Sequence, residues 1–256
     1  IMPVLIGWII VYGGQVGLYS PELAYKMLMI VTLVLLALSG YILQSADIYS
    51  ESITHHTVNR PSSYWQFNRA IQVFSGIQGG INSFFPSLLV LMFVGAEGQL
   101  GLLESITAGL SAILLYVIGR KAKPHHSISI VFVTAVIFFT GAILYNLSYG
   151  FFGALIYTIT SNLTGTIAWT TVNSNTMEVL DREMRLGHNH NQYVLIFDNE
   201  LWLNIGRIVG MLLFFGIAWF TSERLSLQIV PLILGLLQFV LLIPLNTLIK
   251  YTTSRS

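Results

Sequence analysis

The apolar stretch 194–220 is interrupted by polar residues, among them Asp198, Glu200, Asn204 and Arg207. Glu200, Asn204 and Arg207 are spaced i, i+4, i+7, so a helix carries them on one face. A charged side chain at the centre of a membrane span costs about 2.5–3.5 kcal/mol, and it persists where it faces a bundle interior or a water-filled cavity. Arg207 is the deepest of the four and is expected to line a route or a gate. Asp198 is expected to be structural, in an interhelical ion pair or snorkelling to the interface. Glu104, in "GLLESITAGLS", approaches from the opposite side of the bilayer. A carboxyl there suits proton coupling or a counter-charge to Arg207.

Amides and hydroxyls form a third set. Gln72, Gln78 and Asn82 fall in the segment 70–95, with Gln78 and Asn82 at i, i+4, and the same segment holds Gly76, Gly79, Gly80 and Pro86. Small residues let helices approach closely, and Gly/Pro breaks open backbone groups to a ligand. Thr158, Ser161, Asn162, Thr164 and Thr166 make a polar patch near Trp169 in the segment 150–173. The histidines come as His55/His56, His125/His126 and His188/His190, all in connectors without acids at fixed spacing. They are read as no metal set, and no cofactor is expected.

These groups must be positioned by spanning helices. The chain has 256 residues, 54% apolar and only 9% charged, with net charge +1 and no cysteine. Soluble domains carry about 25% charge. Apolar runs near the roughly 20 residues needed to cross a bilayer recur along the chain, and they lack the period-two alternation of barrel strands. The expected fold is all-α: a polytopic transmembrane bundle of about eight spans. They lie near 1–13 (truncated), 23–44, 70–95, 99–119, 128–147, 150–173, 194–220 and 226–249. The chain is expected to begin inside a span, as a piece of a longer protein.

The longer polar connectors are 45–69 and 174–192, and "EVLDREMR" (178–185) reads as a solvated helix end. Residues 1–44 are taken as the end of one bundle, 45–69 as a linker and 70–256 as a six-helix bundle. Trp65, Phe67 and Arg69 suit an interfacial segment. On alternate connectors, nine Lys and Arg (Arg60, Arg69, Arg120, Lys121, Lys123, Arg182, Arg185, Lys250, Arg255) face only Lys26 and Arg224. By the positive-inside rule the linker and the C-terminus are cytoplasmic, in a multi-pass cell-membrane protein.

Between the second and third helices of the six-helix unit the chain reads "AILLYVIGRKAK", 112–123. Gly119, Arg120 and Lys121 fit the end of the cytoplasmic loop signature of the major facilitator superfamily, whereas Ala112, Tyr116 and Val117 replace its first Gly, its Asp and a basic residue. Gly119 is read as letting the chain turn at the helix end, with Arg120 and Lys121 near anionic headgroups. The order of spans, a linker followed by six, resembles helices five to twelve of that superfamily. The resemblance implies a secondary transporter moving a small solute by alternating access, with the first and fourth helices of the unit lining the cavity and the missing N-terminal helices as partner. A monomer is expected. The alternative is a transporter-derived sensor or scaffold. No GxxxxGK[ST], GxSxG or HExxH occurs, and no histidine falls in a span, so an enzyme is not expected. Net charge gives no argument for nucleic acid.

Overall fold

The computed structural model describes residues 6, 8–12, 16–45, 58, 61–94, 97–121, 126–185 and 192–253. Among them the chain is all-helical, with no strand. The helices, numbered here in chain order, are α1 Pro21–Ser45, α2 Ser63–Asn82, α3 Phe85–Val94, α4 Glu97–Lys121, α5 Ser127–Leu147, α6 Phe151–Arg185, α7 Gln192–Phe220 and α8 Glu223–Thr253.

Six helical stretches are long and apolar enough to cross a membrane: Glu22–Ser45, Ser63–Phe93, Gln99–Arg120, Ser127–Leu147, Gln192–Phe220 and Glu223–Lys250. Six of the eight expected spans meet this criterion. The segment 150–173 does fold, as the first part of α6, but its threonines, serines and asparagines leave that 35-residue helix too polar to qualify. Of the segment 1–13, residues 6 and 8–12 are described, and they are helical. The connector expected at 174–192 is helical as far as Arg185.

The chain divides into two compact units, Ile1–Ser52 with Val94–Ile106, and Ile53–Phe93 with Thr107–Ser256. In the first, α1 is exposed along most of its length and carries an i, i+4 pair, Lys26 Nζ to Glu22 Oε1 at 2.7 Å.

In the second unit two hydrophobic clusters form. One gathers the start of α2 (Trp65, Ile71), the start of α7 (Leu195), the end of α6 (Val179, Leu180) and the end of α8 (Leu245, Leu248). The other gathers Ile81, Phe85, Phe138, Tyr145, Tyr157, Phe214 and Leu234. So α2, α5 and α7 run one way, and α6 and α8 run back. That alternation puts Arg69, Arg182, Arg185 and Lys250 at one end of the unit and Arg224 at the other. The tight turn between α5 and α6 holds because Gly150 adopts φ 155°, where a side chain would be strained.

Local sequence sets the path of α2. Ser62 is its N-cap, its Oγ accepting from Trp65 N–H at 3.2 Å. The helix stops at Asn82 because Pro86 would clash with the carbonyl of residue 82 in a continuous helix. Instead α3 begins at Phe85, and Pro86 sits in its first turn, where a missing N–H is tolerated. Ser83 closes the break, its N–H bonding Gly79 O at 3.1 Å and its hydroxyl bonding Gly80 O at 3.0 Å.

Contact between α2 and α7 is backbone on backbone. A Cβ on Gly76 would overlap the carbonyl of Leu203, and one on Gly206 would overlap that of Val73. A Cβ on Gly80 would stand 2.6 Å from Arg207 O, and one on Gly210 would overlap Ile77 O. Gly76/Gly80 and Gly206/Gly210 are thus two small-xxx-small pairs facing each other, an arrangement that lets helices pack closely in lipid.

Candidate functional site: a small cavity and a buried polar clamp

A cavity of about 260 Å³ opens beside the break between α2 and α3. Its polar lining is Ser75, Gln78, Asn82 and Ser83, all from α2 and the break. Gly165, Ala168, Trp169 and Val172 of α6, with Leu241 of α8, complete the wall. Val172 and Leu241 belong to the first hydrophobic cluster, and Gly165, Ala168 and Trp169 fall between the two clusters along α6, so the cavity sits at intermediate depth. Asn82 is further placed by Tyr157, whose hydroxyl lies 3.4 Å from Asn82 Oδ1. Gln78 and Asn82 are half-buried, so neither amide is fully enclosed by packing.

The other expected residues divide. Asn162 is not in the cavity; its Nδ2 lies 3.4 Å from Thr107 Oγ1 on α4. The hydroxyls of Thr160, Thr164 and Thr166 bond the carbonyls of Ile156, Thr160 and Asn162 four residues back. That is how so polar a helix satisfies itself. Gln72 is fully buried and is not a cavity residue.

Glu200, Asn204 and Arg207 do share an exposed face of α7, near the middle of this 29-residue helix. Arg207 Nη1 donates to Asn204 Oδ1 at 3.0 Å, and Asn204 Nδ2 donates to Glu200 O at 2.8 Å. No ion pair of Arg207 occurs among the described residues. Glu104 belongs to the first unit and Arg207 to the second.

Gly119 corrects the reading made of it. It lies inside α4, which continues to Lys121, so it does not turn the chain. Arg120 is exposed, its guanidinium 5.8 Å from the Tyr116 ring centre, with Nη1 donating to Tyr116 Oη at 3.2 Å. The side chain of Lys121, all of Arg60, Lys123 and Arg255, and His55, His56, His125, His188 and His190 lie outside the described residues. No group of three or more metal-ligating side chains occurs among the described residues.

Composition gave no sign of a second polar site at the start of α2 and α7. Asp198 is completely buried. Its Oδ2 accepts from Trp65 Nε1 at 2.6 Å and Arg69 Nε at 2.8 Å, and its Oδ1 accepts from Arg69 Nη2 at 2.7 Å and faces Val58 N–H at 3.4 Å. Arg69 also donates to Val58 O at 3.0 Å and stacks 5.5 Å from the Trp202 ring. Of the two structural roles expected for Asp198, the interhelical ion pair is the one present.

Trp65 is corrected. Instead of facing the headgroups it is completely buried, its indole N–H held by that carboxylate. Glu183 is also corrected: within the supposed solvated helix end it is buried and accepts from the hydroxyl of Ser62, and from Ser62 N–H at 3.3 Å. Arg182 lies 4.7 Å over the Tyr64 ring.

A relay continues inward from the clamp. Gln72 Nε2 donates to Thr176 Oγ1 at 3.0 Å, Thr176 to Asn68 Oδ1 at 3.1 Å, and Asn68 Nδ2 to Asn199 Oδ1 at 2.9 Å. The one available signal in the sequence was spacing: Trp65, Arg69 and Gln72 share a face of α2 at i, i+4, i+7.

No protein-family model, curated protein or solved structure matches the chain.

Proposed function

We propose that this chain carries the solute-binding half of a secondary active transporter of the major-facilitator type, moving a small polar solute by alternating access. One observation carries the reading. A cavity lies between the first and fourth helices of the six-helix unit, its two amides, Gln78 and Asn82, coming from the first and Trp169 from the fourth. Two amides beside a broken helix, with an aromatic wall, suit a ligand that needs hydrogen bonds and one stacking face. Arg207, exposed near mid-helix, is costly against lipid. In this reading its face borders a water-accessible route, and Glu104 or Glu200 couples protons to the cycle.

The test uses single cysteines at 78, 82 and 207 in the full-length protein, in inside-out vesicles. A membrane-impermeant thiol reagent labels them, and labelling changes with pH or with a solute from a panel of anionic, zwitterionic and neutral compounds. Absence of labelling at all three positions in every condition overturns the proposal.

A further inference from the structure

The last turn of α2 ends in four carbonyls that no longer have the helix to bond. Three find donors at the break. Gly79 O accepts from Ser83 N–H at 3.1 Å, Gly80 O from the Ser83 hydroxyl at 3.0 Å, and Ile81 O from Phe84 N–H at 3.3 Å. The fourth is the carbonyl of Asn82. In a continuous helix it would accept from residue 86, but residue 86 is proline and has no N–H. No donor to it occurs among the described residues.

Further oxygens gather at the same place. Asn82 Oδ1 faces the Tyr157 hydroxyl at 3.4 Å and keeps a second lone pair. The Ser83 hydroxyl spends its proton on Gly80 O, so its oxygen has only lone pairs left to offer. Gln78, one turn before Asn82, brings an amide oxygen, and Ser75 a hydroxyl, to the same cavity. No charged residue lines it among the described residues. Neutral oxygens in such number can replace the hydration shell of a monovalent ion, as carbonyl rings do in ion-selective filters. The C-terminal end of α2 carries the negative pole of the helix dipole, which favours a cation there. With no carboxylate the site lacks the charge that strong binding of a divalent ion draws on.

We propose that the break between α2 and α3 is a binding site for a monovalent cation, either sodium or the ammonium group of a small solute. The Asn82 carbonyl and the oxygens of Asn82, Gln78, Ser75 and Ser83 hold it, with Trp169 of α6 completing the wall. The inference rests on the reading of this cavity as a ligand site and names the charge of the ligand.

The test is scintillation proximity binding to the purified full-length protein, with radioactive sodium and, separately, radiolabelled methylammonium, in N-methylglucamine chloride at constant ionic strength. Saturable sodium binding gives the site to the ion; methylammonium binding alone gives it to the ammonium group of a solute. Asn82→Leu and Pro86→Ala should each weaken binding about tenfold or more. The first removes an amide oxygen, and the second supplies an N–H to the Asn82 carbonyl. Asn82→Asp adds a charge and should tighten binding about tenfold or more, and it should let calcium compete. Thr170→Ala, exposed on α6 with its hydroxyl on Thr166 O, leaves binding unchanged. Binding of neither cation overturns the proposal, as does binding that survives both Asn82→Leu and Pro86→Ala. So does an Asn82→Asp variant that folds and binds no more tightly. Thiol labelling at 78 and 82 in a protein that binds neither cation removes this inference and leaves the transport reading standing, so the two failures are distinct.

Discussion

Replacing Asp198 with Ala tests the clamp most directly. The carboxylate is 1% exposed and the Arg69 side chain 19% exposed. Truncation leaves a largely buried guanidinium without its counter-charge, and breaking a buried pair by removing one partner costs about 3–5 kcal/mol. It also leaves the buried Trp65 N–H without an acceptor, a penalty of about 1–3 kcal/mol taken alone. The two do not add, because both groups meet the same oxygen, Oδ2. Water reaching Arg69 pulls the total towards the lower end of the range, so the expected loss is about 3–5 kcal/mol overall. At roughly 2–4 °C per kcal/mol for a domain of this size, Asp198→Ala should melt about 6–20 °C below the parent, followed by tryptophan fluorescence in detergent. The triple change Asp198→Leu, Arg69→Met, Trp65→Phe removes the stranded guanidinium and indole N–H, leaving only the Val58 backbone groups without these partners, and should recover part of that loss, as apolar replacement of buried pairs does. A single variant melting within 2 °C of the parent, or a triple variant no better than the single, would refute the reasoning.

Three other outcomes follow from the geometry. Gly206→Ala should cost at least 1–3 kcal/mol by overpacking, since a Cβ there meets the Val73 carbonyl and stands 2.9 Å from Gly76 Cα. Gly216→Ala, with open space around it, should be neutral or gain up to about 1 kcal/mol; paired melting curves check both. Ser62→Ala should lose about 1 kcal/mol as a cap and strand the buried Glu183, whereas Ser62→Thr should retain most stability, read from the same melts. On the proposed transport reading, Asn82→Leu should cut solute uptake at least about tenfold, as expected when a polar ligand loses its partner, with membrane abundance unchanged by immunoblot.

The sequence exposes its helices through hydropathy, because lipid tolerates only long apolar runs. It is weakest where a helix is not apolar. Here α6 passes length but not apolarity, since its threonines satisfy their hydroxyls on their own backbone and need no core. The amides at 78 and 82 were legible because i, i+4 spacing and a nearby proline predict one face and a break. The clamp was not, because its partners are 129 residues apart along the chain and each, taken singly, resembles an interfacial residue. Gly206 and Gly210 went unnoticed for a similar reason. A small-xxx-small pair has meaning only opposite another, and the facing pair lies on α2.

Together these features constrain how the second unit can move. The cavity amides ride on α2 and the Arg207 face on α7, and the two helices touch through glycines from Gly76/Gly206 to Gly80 and Gly210. Side chains cannot give way in such a contact, because none are there. At the start of the same helices, Arg69 and Trp65 hold Asp198. Sliding α2 past α7 would therefore drive carbonyls into α-carbons and strip a buried carboxylate of its donors at once. The pair must move as one rigid slab, which keeps Gln78, Asn82 and Arg207 in fixed relation. The helix α6 is joined to α2 as well, by Ser62–Glu183 and Gln72–Thr176 at one end and by Tyr157–Asn82 at the other, with the cavity and Trp169 between those contacts.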